Sequence, residues 1–123
     1  MNLRSKSKKI PAEVPRRTGE IKIHTPGDFE GMKNAGQVAA KTLDHIDRHI
    51  VPGVLTEEID EICHQFILDN NATPAPLYYR GFPKSICTSV NHVICHGIPS
   101  NKALSDGDII NIEPLMIMYG LGN

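Results

Sequence analysis

Net charge, long apolar runs and cysteine are all scarce in this 123-residue chain, and each scarcity removes a class of explanation. A formal charge of -1 gives no general attraction to nucleic acid or to an acidic membrane surface. No apolar run approaches the roughly 20 residues that a membrane-crossing helix requires, and the N-terminus lacks the apolar core of an export signal. Cys63, Cys87 and Cys95 form an odd set without a CxxC spacing. That argues against a zinc ribbon and a secreted disulfide framework, and fits a reducing, cytoplasmic setting. No internal repeat is present. With 40% hydrophobic residues at this length, one compact core is expected.

What is there divides into a basic arm and a body. Residues 1–20 carry Arg4, Lys6, Lys8, Lys9, Arg16 and Arg17 among Ser and Pro. Such a stretch buries too little apolar surface to offset its ordering entropy, so it reads as a flexible arm, and residues 21–123 as the folded domain. Ile21 and Ile23 make a short strand at most. Thr25-Pro26-Gly27-Asp28 then has the form of a capping box with proline at the first helical position. Phe29, Met32, Gly36, Ala39, Leu43, Ile46 and Ile50 recur every three or four residues, which predicts a helix with that stripe buried, ending before Pro52-Gly53. The small residues Ala35, Gly36, Ala39 and Ala40 suit close packing on a sheet.

Thr56 is the expected cap of a second helix whose buried stripe is Ile59, Ile62, Cys63, Phe66 and Ile67, with Glu57 and Glu58 at its positive end. Asp69-Asn70-Asn71 ends it. Beyond Thr73 the prolines and glycines predict loop and short strand. Ile86 to Val90 and His92 to Ile94 suggest a hairpin around Asn91, and Ile109 to Ile112 a buried strand. The fold class expected is α+β, two helices packed on an antiparallel sheet.

Few residues offer chemistry by themselves. His96 sits beside Gly97, where backbone can approach a ligand and an imidazole can hydrogen-bond a carbonyl. His45 and His49 lie four apart but lack an accompanying HExxH glutamate and stand outside the apolar stripe, so they read as solvated. Cys95 and His96 are neighbours and point to opposite faces of a strand, which argues against a thiol-imidazole pair; Cys87 and Cys95 read as small buried residues. Glu113 emerges from the last apolar run as a candidate metal ligand, although a catalytic metal needs several convergent donors and an open position.

Gly81-Phe82-Pro83-Lys84-Ser85-Ile86-Cys87-Thr88-Ser89-Val90-Asn91, Cys95-His96-Gly97-Ile98-Pro99 and Gly107-Asp108-Ile109-Ile110-Asn111-Ile112 resemble the type I methionine aminopeptidases of bacteria. The resemblance covers about Ile21 to Glu113. It implies the N-terminal half of a "pita-bread" fold, whose two pseudo-symmetric halves enclose two divalent metal ions (cobalt, manganese, iron, zinc or nickel) and remove the N-terminal methionine of nascent polypeptides. Carried over residue by residue, His96 is the histidine that hydrogen-bonds the substrate near the scissile bond, and Tyr79, Phe82 and Cys87 line the methionine pocket. Pro76 stands where a pocket cysteine is often found. Glu113 aligns with the first aspartate ligand, while the other ligands have no counterpart. The expectation is therefore a truncated, inactive relative; a non-catalytic module that binds peptides or a ribosomal surface is the alternative. No contact with DNA or membrane is expected. The tail Ile112-Glu113-Pro114-Leu115-Met116 resembles a ligand-bearing segment of the family's second half.

Overall fold

The computed structural model describes residues 19, 21 and 23–118, the last two by their backbone only. The basic arm, Gly19 aside, lies outside the described residues. Helix α1 spans Pro26–Asp47, and its start follows the sequence pattern. Thr25 Oγ1 accepts a hydrogen bond from the Asp28 amide at 3.2 Å, and the Asp28 carboxylate accepts one from the Thr25 amide at 2.8 Å. Two orphan donors of the first turn are thereby satisfied reciprocally. Ile21 and Ile23, by contrast, form no strand and are 92% and 88% exposed.

The buried face of α1 is not the one its apolar spacing suggested. Val38, Thr42 and Ile46 face inward, while Phe29, Met32 and Leu43 are exposed. Ile46 alone of the expected stripe is fully buried. The physical reason is that α1 packs along α2 and the last strand, and those elements engage its C-terminal two-thirds on the Val38 side. Thr42 joins this face without penalty because its hydroxyl donates to the Val38 carbonyl at 2.7 Å.

Helix α2 spans Thr56–Asp69, with Ile59, Cys63 and Ile67 wholly buried and Ile62 and Phe66 half-buried, as the spacing implied. Its cap differs from expectation. Leu55 occupies the cap position and its amide donates to the Glu58 carboxylate at 2.9 Å. Thr56 lies one residue further in, where its hydroxyl exchanges hydrogen bonds with the backbone of Ser100, donating at 3.1 Å and accepting at 2.8 Å. The Thr56 and Glu57 amides donate to the Lys102 and Ser100 carbonyls. Orphan donors at the helix start are thus met by a segment distant in sequence.

Four short strands follow: β1 (Ala72–Pro74), β2 (Cys87–Val90), β3 (Ile110–Glu113) and β4 (Met116–Met118). β1 pairs antiparallel with β4, and β2 antiparallel with β3, so Pro114-Leu115 interrupts what the sequence reading took as one sheet. Proline cannot donate to a ladder, which accounts for the break. The expected hairpin does not form either. His92 to Ile94 is not a strand; the partner of β2 is β3, and Asn91, with φ of 53°, turns the chain away. Its side chain then ties this turn to the next, donating to Asp108 at 2.9 Å and accepting from the Ile109 amide at 3.0 Å. The strand expected at Ile109 is half-buried rather than buried and starts one residue later, with Ile109 76% exposed.

The main core joins Ile46, Ile59, Cys63, Ile86, Val90 and Leu104 between the helices and one face of the β2–β3 pair. A second cluster, Val38, Ile67 and Ala72, seals α1, α2 and β1. The architecture is α+β, two helices over small antiparallel strands.

Candidate active-site face

Strand periodicity decides what the helices do not cover. Successive side chains point to opposite faces, and Ile86, Val90, Ile110 and Ile112 belong to the core or pack on it. Cys87 and Ser89 therefore point away from the helices, as do their register partners Glu113 and Asn111. This face is polar. The Asn111 amide group lies 3.4 Å from the Glu113 carboxylate, both on β3 two residues apart.

The segment after Asn91 returns along the edge of β2 that β3 does not occupy. Ser89 Oγ accepts a hydrogen bond from the Gly97 amide at 3.1 Å, and the Gly97 carbonyl accepts one from the Thr88 amide at 2.9 Å. The approach is so close that a Cβ at Gly97 would stand 1.9 Å from the Thr88 carbonyl oxygen. Only glycine fits there. The preceding residue, His96, has a left-handed backbone with φ of 54° and an exposed side chain. A non-glycine residue in that region is held by its surroundings at a cost of about 1–3 kcal/mol, a pattern common where function fixes a side chain.

Cys87 and Glu113 are register partners at one end of the β2–β3 ladder, and His96 adjoins Gly97, which bonds Thr88 and Ser89 of the same strand. Cys87 is buried, and its thiol pKa is raised, first by burial, then by the Glu113 carboxylate and by Cys95. Cys95, expected among the buried residues, is exposed, because the turn at Asn91 carries it into the returning segment rather than into a strand. Tyr79 and Phe82 sit in the loop before β2, a tight 3-10 turn over Tyr79–Gly81 in which Tyr78, Arg80 and Gly81 all have positive φ. Tyr79 is 62% exposed with the Arg80 guanidinium 5.3 Å from its ring centre, and Phe82 is half-buried. Pro76 is buried.

The residues present do not fit a dinuclear metal centre. Among the described residues no three His, Cys, Asp or Glu side chains converge. Glu113 is one carboxylate beside a thiol whose protonated form is favoured. His45 and His49 do not supply a site either. Their rings lie 5.7 Å apart, but His45 stacks on Phe66 at 4.5 Å, so they are half-buried where solvation was expected.

Several residues that shape the site were missed by sequence reasoning. The Asp60 carboxylate, wholly buried in α2, accepts hydrogen bonds from the Ser85 and Ile86 amides at 2.7 and 3.1 Å and so anchors the entry to β2. His64, one turn later, hydrogen-bonds the Ser85 hydroxyl through Nδ1 at 2.6 Å. The available signal was position: Asp60 and His64 flank the apolar stripe of α2 at i, i+4. Ser89 was findable by period-two counting from Cys87.

Comparison with known proteins bears on the family and the fold. The family profile described as "Metallopeptidase family M24" matches residues 30–120. The methionine aminopeptidase of Rickettsia prowazekii is 57% identical over 100 residues, covering 81% of this chain and 39% of that protein. That of Escherichia coli strain K12 is 48% identical over 102 residues, covering 81% and 39%. The crystal structure of the Rickettsia prowazekii enzyme superposes with a TM-score of 0.78 at 56% identity, over 80% of this chain and 40% of that one. A methionine aminopeptidase from Thermotoga maritima gives a TM-score of 0.78 at 30% identity, over 81% and 41%. The chain spans about two-fifths of the length of these relatives. It belongs to the metallopeptidase family M24, and within that family it resembles methionine aminopeptidases.

Proposed function

We propose that these residues form the substrate-facing N-terminal part of a methionine aminopeptidase, a metal-dependent hydrolase acting in the cytoplasm on the N-terminal methionine of newly made polypeptides. The observation that carries this reading is the polar strand face of Cys87, Ser89, Asn111 and Glu113, flanked by a segment that holds His96 in a left-handed conformation. In this reading His96 presents its imidazole to the substrate carbonyl or amide, and Cys87 with Tyr79 and Phe82 receives the methionine thioether, for which sulfur and aromatic contacts are suited. Two divalent ions, cobalt, manganese, iron, zinc or nickel, would supply the hydrolytic water; Glu113 would contribute one donor.

The described residues do not complete that cage, so the 123-residue polypeptide is expected to bind no pair of metal ions and to release no methionine. The test is a methionine-release assay on a Met-Gly or Met-Ala peptide with cobalt or manganese, alongside calorimetric metal titration. Turnover by the pure 123-residue chain would overturn the proposal. Binding of a methionyl peptide without metal would instead identify a peptide-binding module, with His96→Ala and Cys87→Ala expected to weaken it.

A further inference from the structure

We propose that Ser89 is the positioning residue of His96: its hydroxyl accepts the amide hydrogen of Gly97 and thereby holds the His96 backbone in the left-handed conformation that aims the imidazole. Ser89 stands in β2 and is 4% exposed, and its Oγ lies 3.1 Å from the Gly97 nitrogen. That nitrogen belongs to the planar peptide that joins His96 to Gly97, so the direction of its N–H is set by rotation about the ψ bond of His96. The carbonyl of Gly97 is tied separately, accepting from the Thr88 amide at 2.9 Å. Two consecutive residues of one strand therefore grip Gly97, Thr88 through its backbone and Ser89 through its side chain. Of the two bonds, the side-chain bond is the one that acts on His96.

His96 requires such a hold. At φ of 54° its Cβ crowds the following carbonyl oxygen, and a residue with a Cβ has only a narrow range of ψ there. A bond that selects ψ therefore selects the left-handed pair of angles. The strain of that conformation and the net worth of one hydrogen bond are of the same order, so removing the bond tips the balance toward an extended backbone. The imidazole is exposed rather than packed, and its direction follows from the backbone that carries it. An extended His96 would swing its Cβ to the other side of the chain. Gly97 supplies the remaining condition: a Cβ there would collide with the Thr88 carbonyl, and its absence brings the segment close enough for a side chain as short as serine to reach the amide. That the imidazole so aimed meets substrate rests on the proposed function; the hold on its backbone does not.

The test is nuclear magnetic resonance of the isotopically labelled 123-residue chain beside Ser89→Ala, Ser89→Thr and Thr88→Val. A strong Overhauser effect between the amide and α protons of His96 reports a positive φ, because the two protons lie closest there. It should be strong in the unaltered chain, persist in Ser89→Thr, which keeps the acceptor, and fall in Ser89→Ala, where exchange of the Gly97 amide should also quicken about tenfold. Thr88→Val alters the neighbouring side chain and keeps the backbone bond, so it should leave His96 left-handed although it changes stability. That contrast separates an effect on His96 from a general one. Ser89→Cys, which fills the same space with a weak acceptor, gives a second reading should the alanine variant not fold. An effect absent from the unaltered chain, a His96 that stays left-handed in Ser89→Ala and Ser89→Cys, or one released equally in Thr88→Val, would overturn the proposal. Failure of the proposed function shows elsewhere, as methionine release by the pure chain, so the two failures are distinguishable.

Discussion

Removing the Asp60 carboxylate should be among the most damaging single changes in this chain, and the structure indicates by how much. The side chain is 0% exposed and accepts two backbone hydrogen bonds, from Ser85 at 2.7 Å and Ile86 at 3.1 Å. Both donors are themselves buried. In Asp60→Ala both amides lose this acceptor, and each buried N–H left unsatisfied costs about 1–3 kcal/mol. With the small cavity added, the loss should be about 3–5 kcal/mol, against a total domain stability of about 5–15 kcal/mol. Urea unfolding followed by far-ultraviolet circular dichroism would read this as a midpoint lowered by about 2 M, taking a slope of about 2 kcal/mol per molar. Asp60→Asn keeps an acceptor oxygen and gives up the charge, so about half the loss is expected there. A loss below about 1 kcal/mol for the alanine variant would refute the reasoning, because it would mean the two amides find water or another acceptor at no cost.

Three further outcomes follow from the same geometry. Gly97→Ala places a methyl group where the Thr88 carbonyl oxygen stands, so the segment at the edge of β2 should detach; hydrogen exchange at the Thr88 amide should accelerate about tenfold or more, and unchanged protection would contradict the close approach. Thr88 Oγ1 is the buried side-chain polar atom lacking a hydrogen-bond partner among the described residues, so the isosteric Thr88→Val should raise stability by about 1 kcal/mol, and a loss of similar size would show that the hydroxyl is satisfied in solution. Burial, and then the Asp60 carboxylate, push the Cys63 thiol from its ordinary 9.0 up to about 12, so the native state keeps a proton that the unfolded chain gives up between those values. Stability should be fully present below pH 9.0 and fall as the pH rises toward about 12. Cys63→Ala should flatten that decline, which parallel urea titrations of the two proteins would measure.

Features set by neighbouring residues were legible in the sequence, and features set by distant partners were not. The capping box at Thr25 and Asp28 is a four-residue device, and it forms as read. The α2 stripe was legible because Ile59, Cys63 and Ile67 are buried by elements on the side that their spacing selects. The α1 stripe failed for the converse reason: Phe29 and Met32 satisfy the same periodicity yet stay exposed, while Val38, outside that stripe, packs with Ile67 of α2, and the small residues Gly36 and Ala40 are exposed rather than packed on a sheet. β2 was recognised as a strand, but its partner lies some twenty residues away, and nothing local to Asn91 distinguishes a hairpin from a turn that sends the chain elsewhere. At the site, the Cys-His-Gly sequence marked the right neighbourhood. What it could not convey is that Gly97 is required for contact rather than for backbone freedom, or that Ser85 hydrogen-bonds an imidazole on α2.

The start of α2 is finished by carbonyls from Ser100 and Lys102, and the Thr56 hydroxyl reaches across 44 positions to Ser100. During synthesis, therefore, the helix is made long before its lid is. Until that later stretch arrives, the first turn must leave its amides to water and fray, and with it the register of Ile59 against Ile86 stays unfixed. Completion of the first turn of α2 is consequently a non-local step, of the kind that slows folding, and a polypeptide cut before Ser100 would carry an α2 that unravels from its leading end.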